Sequence, residues 1–251
     1  MRKRIYLLAF TIVSFTNLNA QQFISKATIE YEVKANIKKT MGNNTFEEML
    51  KESLPTFKTG YYNFTFANNK SVYKFDHWAP GPKIPDFLKR GDEDNVWYYD
   101  YNSSKYDMQK IIWGSNLNIE DSIPKLEWRI TNENRVIAGF NCRKAVAKIF
   151  DSVYVFAFYT DEILIPGGPC SINGLPGMIL GVTIPRLYTS WIATKVSVVG
   201  VDENAIKQAA VKKTYKMSFL KSTIDDRLKD WTPDNDEERQ QKNRFIWTIL
   251  L

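Results

Sequence analysis

Apolar and polar positions alternate from Ala27 onward. Ala27, Ile29, Tyr31, Val33, Ala35 and Ile37 interleave with Thr28, Glu30, Glu32, Lys34, Asn36 and Lys38. A period of two with one polar side predicts an antiparallel strand that faces solvent on one face. The next stretch, NTFEEMLKESL, places Thr45 three residues before Glu48 and puts Phe46, Met49 and Leu50 on one side. That capping-box spacing predicts a short helix. Tyr62, Phe64 and Phe66 form a second strand, Ala67 to Lys70 a turn, and Val72, Tyr73 and Phe75 a third strand. Residues 76–95 carry Pro80, Pro82 and Pro85 and read as a loop. VWYYDY and YDMQKIIW predict a hairpin around Asn102-Ser103-Ser104. Leu126, Trp128 and Ile130 predict a strand, residues 131–135 a turn, and VIAGFNCRKAVAKIF the returning strand. Val153–Tyr159 is apolar on both faces, as in a strand covered on each side. Met178–Ile184 and Ile192–Val199 complete the sheet.

The character changes after Gly200. Residues 202–213 predict a short amphipathic helix. A terminal helix follows, with Thr232 as N-cap and Pro233 at the first helical position. It ends in the apolar patch Phe245, Ile246, Ile249 and Leu250, which suits docking on the domain. The expected fold is therefore mainly β (α+β): a strongly curved antiparallel sheet or half-barrel with short helices and a C-terminal helix.

The start of the chain reads differently. Arg2, Lys3 and Arg4 precede an apolar run, Ile5–Phe15, and Leu18-Asn19-Ala20 supplies a small residue at a cleavage point. This is the pattern of a secretory signal peptide, and the run is too short for a membrane span. The expected organisation is a signal peptide at 1–20, an antiparallel β domain at 21–200 and a helical extension at 201–251. The expected location is exported, periplasmic or extracellular, with no transmembrane segment after signal cleavage.

Charge then adds little. The first twenty residues hold three of the 34 basic side chains and none of the 28 acidic ones, so the remainder carries a net charge of +3. Nothing in that balance points to nucleic acid. In an exported chain the two cysteines, Cys142 and Cys170, predict one disulfide. The single histidine, His77, stands beside Asp76 and Trp78 without the neighbours a metal or a nucleophile would need. There is no P-loop, dinucleotide glycine pattern or G-x-S-x-G elbow. No catalytic residue, metal site or cofactor is assigned. Aromatic residues make up 14% of the chain, and Trp97, Tyr99, Tyr101 and Tyr159 form a candidate binding surface.

A longer motif set narrows the reading. Gly139-Phe140-Asn141-Cys142-Arg143-Lys144-Ala145 is followed by Ala157-Phe158-Tyr159-Thr160, Glu162-Ile163, Gly168-Pro169 and Gly174-Leu175-Pro176-Gly177-Met178-Ile179-Leu180. This order and spacing resemble the GLPGLI family of exported bacterial proteins over about residues 24–200. Met178 stands where leucine is usual, Phe158 where tryptophan is frequent, and Leu164 where proline follows the isoleucine. Gly174, Leu175, Pro176, Gly177, Met178 and Ile179 form the family-motif turn, and Pro176-Gly177 suits a type II turn. The resemblance implies export and a mostly β domain, and no reaction.

The expected function is a non-enzymatic binding or accessory factor of the Gram-negative cell envelope, with a link to outer-membrane transport. Its partner would be an envelope protein or an apolar ligand. Two alternatives stand beside it: a periplasmic hydrolase or thiol-dependent enzyme, and a structural component of an envelope complex.

Overall fold

The computed structural model describes residues 24–42, 45–150, 152–208, 210–211 and 213–251. The signal peptide expected at 1–20 lies outside the described residues. Eleven strands form one open antiparallel sheet: β1 (Ala27–Asn36), β2 (Phe57–Ala67), β3 (Lys70–Trp78), β4 (Val96–Asp100), β5 (Lys105–Ile112), β6 (Ser115–Ser122), β7 (Arg129–Ile137), β8 (Phe140–Ile149), β9 (Val153–Thr160), β10 (Met178–Ile184) and β11 (Thr189–Ser197). Their order is β6-β5-β4-β3-β2-β1-β11-β10-β9-β8-β7. Two meanders thus run outward from the central β1–β11 pair.

This order forces curvature. Flat, eleven strands about 4.8 Å apart would separate the edges by about 48 Å. The edge strands β6 and β7 are joined only by residues 123–128, and the seven steps from Ser122 to Arg129 reach at most about 25 Å. The sheet therefore curls. Within the curl, a Cβ on Gly181 of β10 would stand 2.8 Å from Ile137 Cδ1 of β7, so these separated strands pack directly. The edge of β6 is partly covered: Tyr215 N–H donates to the Asn118 carbonyl, and Glu120 N–H donates to the Tyr215 carbonyl, both at 2.8 Å.

Residues 161–177 fill part of the hollow. Ile163, Ile172 and Leu175 are buried in the same core as Tyr31, Phe64, Tyr99 and Tyr159. Aromatic polar tips hold carbonyls of this loop and of the strand that follows it. Tyr99 Oη donates to the Cys170 carbonyl at 2.7 Å, Trp128 Nε1 to Asn173 at 2.9 Å, and Tyr31 Oη to the Ile179 carbonyl. Among the described residues five helices accompany the sheet: α1 (Ile37–Thr40), α2 (Thr45–Ser53), α3 (Arg90–Glu93), α4 (Met217–Leu228) and α5 (Asp236–Leu250). Leu220, Ile224 and Leu228 of α4 and Trp247 of α5 join the core of the sheet.

Several local expectations change. The segment expected as a helix at 202–213 contains one short 3-10 turn, Glu203–Ala205, among its described residues. Ala205, Lys207 and Val211 lie instead near Val72, Tyr98 and Gln109. Packing against the sheet overrides the amphipathic pattern there. Asn235, not Thr232, caps α5: it accepts from Glu238 N–H at 2.9 Å, and Glu238 accepts from Asp234 N–H at 3.0 Å. The expected loop at 76–95 holds the end of β3, a 3-10 turn and α3. β7 continues through the expected turn at 131–135, with a bulge-like register shift against β8 between Ile130 and Asn134. The chain reverses at Ala138 and Gly139, whose φ values of +49° and +87° suit a two-residue hairpin. Pro176-Gly177 is not a type II turn: Gly177 N–H donates to the Leu175 carbonyl at 2.8 Å, and Met178 N–H donates away to Ile163.

The expected disulfide is absent. Cys142 and Cys170 are both buried and unbonded. Cys142 lies on β8 and its thiol donates to the Phe140 carbonyl at 3.5 Å, whereas Cys170 lies beside Tyr73 of β3 and Trp191 of β11. The two thiols thus have different neighbourhoods. Burial pushes Cys142 up to about 11 and Cys170 up to about 12. A thiol reagent such as Ellman's is expected to count two thiols per chain in non-reducing denaturant and neither in the native protein. A thiol-free denatured chain would overturn this assignment.

Candidate functional site

A cavity of about 590 Å³ lies between the concave side of the sheet and a cover made by α2, residues 87–95 and α5. Strand alternation supplies its floor: Val33 and Ala35 from β1, Gly60 and Tyr62 from β2, Tyr73 and Trp78 from β3, Trp97 from β4 and Trp191 from β11. Phe46 and Leu50 of α2, Phe87, and Phe245, Thr248 and Leu251 at the end of the chain form the cover. The lining is largely apolar and aromatic, and the volume falls in the range of small-molecule sites, about 300–1,000 Å³. Phe46 and Phe87 are 72% and 62% exposed, so the rim shows apolar surface to solvent.

One charge stands out in this setting. On β5 the inward positions are Tyr106, Met108, Lys110 and Ile112, so Lys110 occupies a core-facing place in the alternation. Its Nζ donates to the Thr248 carbonyl at 3.0 Å and to the Ile249 carbonyl at 2.8 Å, and it lies 5.5 Å from the Trp97 ring centre. These carbonyls belong to the last turn of α5, where the helix dipole favours a cation. Burial lowers the ammonium to about 8, and the Asp92 carboxylate acts in the opposite direction. The other cavity lysine, Lys58, is committed: it pairs with Asp92 and donates to the Leu88 carbonyl at 2.8 Å.

Four further polar groups of the lining are unsatisfied. Tyr73 Oη, Trp97 Nε1, Asn95 Oδ1 and Arg244 Nε are buried without a hydrogen-bond partner, and all four residues line the cavity. Buried polar atoms are nearly always paired, so four orphans around one hollow mark it as unusual. Tyr73 and Trp97 pack together as a cross-strand pair, with ring centres 5.6 Å apart.

The aromatic residues singled out from sequence separate in space. Trp97 lines the cavity. Tyr99 anchors Cys170, Tyr101 lies within hydrogen-bond distance of Ser71 at 3.2 Å, and Tyr159 is buried on β9. His77 is half-exposed on β3; its Nδ1 lies 2.6 Å from Asp76 Oδ2, and its ring stacks on Tyr61 at 4.7 Å. Among the described residues no group of three His, Cys, Asp or Glu side chains is placed to hold a metal ion. Sequence reasoning missed Lys110, Tyr73 and Trp191. A legible signal existed for Lys110: a cation at the inward phase of an otherwise apolar strand.

No family model matches the chain, and no curated protein matches it. Among solved structures, PNGF-II in its C2 crystal form overlays with a TM-score of 0.53 at 14% identity, covering 78% of this chain and 32% of that one. The P21 form gives 0.52 at 15% identity over the same shares. An uncharacterized conserved protein from Thermus thermophilus overlays at 0.37 and 8% identity, over 75% of this chain and 88% of that one. The chain thus spans about a third of the PNGF-II length, and what the two share at this identity is the fold.

Proposed function

We propose that this protein is an exported, non-enzymatic binding factor of the Gram-negative cell envelope, of the GLPGLI type, that holds an apolar ligand beneath α5. The cavity carries the reading: about 590 Å³, walled by aromatic and aliphatic side chains and rimmed by exposed Phe46 and Phe87. The charged n-region and apolar run at 2–15, and the motif set from Gly139 to Leu180, support the export and family parts. An accessory role in outer-membrane transport fits a protein that would shield an apolar cargo from water.

The test uses the neutral probe N-phenyl-1-naphthylamine. It is expected to bind saturably, one per chain, with quenching of tryptophan emission, because Trp78, Trp97, Trp191 and Trp231 line the cavity. Ala35 lies on the floor. Ala35→Phe fills part of the space and should weaken the probe about tenfold, equivalent to roughly 1.4 kcal/mol. Absence of saturable binding, or an unchanged affinity in Ala35→Phe, would overturn the reading. Cell fractionation is expected to recover the chain from the periplasm or outer membrane; retention in the cytosol would overturn the export part.

A further inference from the structure

From the donors gathered around Lys110, we infer that the ligand is a single-chain amphiphile with an anionic oxygen head, seated on Lys110, Tyr73 and Trp97. The inference rests on the binding function proposed above and adds the chemistry of the head.

The donors are the argument. Lys110 is 6% exposed, and its two hydrogen bonds go to neutral carbonyls, not to a carboxylate. An ammonium carries three donors, so one N–H remains for a further acceptor. Tyr73 is fully buried and Trp97 is 3% exposed; the Trp97 indole N–H is unpartnered, and the Tyr73 hydroxyl has only the Cys170 thiol, a weak acceptor, beside it. An indole N–H can only donate, so its missing partner is an acceptor. The nearby carboxylate of Asp92 is engaged by Lys58. Asn95 Oδ1 is an orphan acceptor, yet its amide can turn to present NH₂ instead. A buried cation beside the idle Trp97 indole, with the weakly engaged Tyr73 hydroxyl on the same cavity wall, suits an acceptor of negative charge, where charge-assisted hydrogen bonds are strong.

Size and lining describe the rest of the ligand. A water-sized group takes about 30 Å³, so the cavity holds on the order of 20 heavy atoms. That matches one acyl chain with its head. The remaining wall, Val33, Ala35, Tyr62, Leu50 and Phe87, suits the chain.

Calorimetric titration of the protein with tetradecanoate, tetradecyl phosphate and tetradecanol, each below its micellar concentration, tests this. At least one anionic amphiphile is expected to bind about tenfold or more tighter than the alcohol. The tighter of the two anions assigns the head as carboxylate or phosphate ester. Lys110→Met should weaken the anion about 10- to 100-fold and bring it level with the alcohol. Because Lys110 also holds the end of α5, Tyr73→Phe provides a gentler second variant. It keeps the ring and should cost the anion about 3- to 10-fold while sparing the alcohol. Equal binding of alcohol and anions, or an unchanged anion affinity in Tyr73→Phe, would overturn this inference and leave the apolar cavity standing. Failure of all three compounds and of the neutral probe would overturn the binding function itself.

Discussion

Above about pH 10 the protein is expected to unfold within roughly one pH unit. The cause is a set of phenols the fold keeps neutral. Burial raises Tyr31, Tyr62, Tyr73, Tyr99, Tyr101 and Tyr106 well above the ordinary value of 10.0. A group whose folded pKa is raised contributes stability that is complete below the unfolded pKa and is lost as pH climbs beyond it. For these six phenols the loss begins near pH 10, because the unfolded chain sheds protons that the folded chain retains. Each group costs about 1.4 kcal/mol per pH unit, so the six together cost about 8 kcal/mol per unit, against a typical domain stability of about 5–15 kcal/mol. The two thiols, held up to about 11 and about 12, begin the same loss near pH 9. Lys110 works in the opposite sense. Its folded pKa is lowered from 10.5 to about 8, so between those values the unfolded chain binds more protons and stability rises with pH. One opposing lysine cannot offset eight groups. Absorbance at 295 nm and near-ultraviolet circular dichroism should change together in one steep step. A gradual tyrosine titration near pH 10, with native dichroism kept beyond about pH 11.5, would refute the expectation.

The second large effect belongs to Gly177. Its φ is +148°, and a Cβ there would stand 2.0 Å from the Thr160 carbonyl oxygen, with Thr160 C at 2.9 Å and Asp161 Cα at 3.1 Å. All three neighbours are backbone at the end of β9, so no side-chain rearrangement can make room. Gly177→Ala must push residues 161–177 away from β9, which loosens the carbonyls held by Tyr99 and Trp128. The expected loss is about 3 kcal/mol, from overpacking plus a strained φ. At about 2–4 °C per kcal/mol for a chain of this size, the thermal midpoint should fall by about 10 °C. Gly81→Ala is the control, since nothing lies within 4 Å of a Cβ there and its φ is ordinary. Equal midpoints for the two variants would refute the packing argument.

The backbone contact at Gly177 also locates the meaning of the GLPG segment. Its glycine serves a close backbone approach, and its loop serves as a plug in the hollow. Cys170, carried on that plug with φ +52°, reaches the cavity wall.

Much of the fold was legible. Alternation located β1 and β2, because each has one inward face and one outward face. The turn at Asn68-Asn69 was legible too: both residues adopt positive φ, +52° and +57°, which asparagine tolerates. β6 was missed because SNLNIEDS has only Leu117 and Ile119 as apolar residues and lies at an edge. α4 was missed because its apolar side is short, three buried residues in twelve. The extended course of 202–213 was missed because its contacts come from strands more than ninety residues earlier, such as Asp107 paired with Gln208.

The sequence by itself determined the mainly antiparallel β architecture, the C-terminal helix and the aromatic richness of the sheet, because these depend on short-range periodicity and residue type. Only the tertiary structure decided which aromatics share a hollow. It set Trp97 beside Lys110 and against Tyr73, and sent Tyr99 and Tyr159 into the core. It also left Cys142 and Cys170 unbonded among different neighbours, although the pair of cysteines suggested a bridge. The physical reason is the curl of the open sheet. Strand order and twist bring residues from β1 to β5, β11 and α5 around one volume, and no local pattern carries that information.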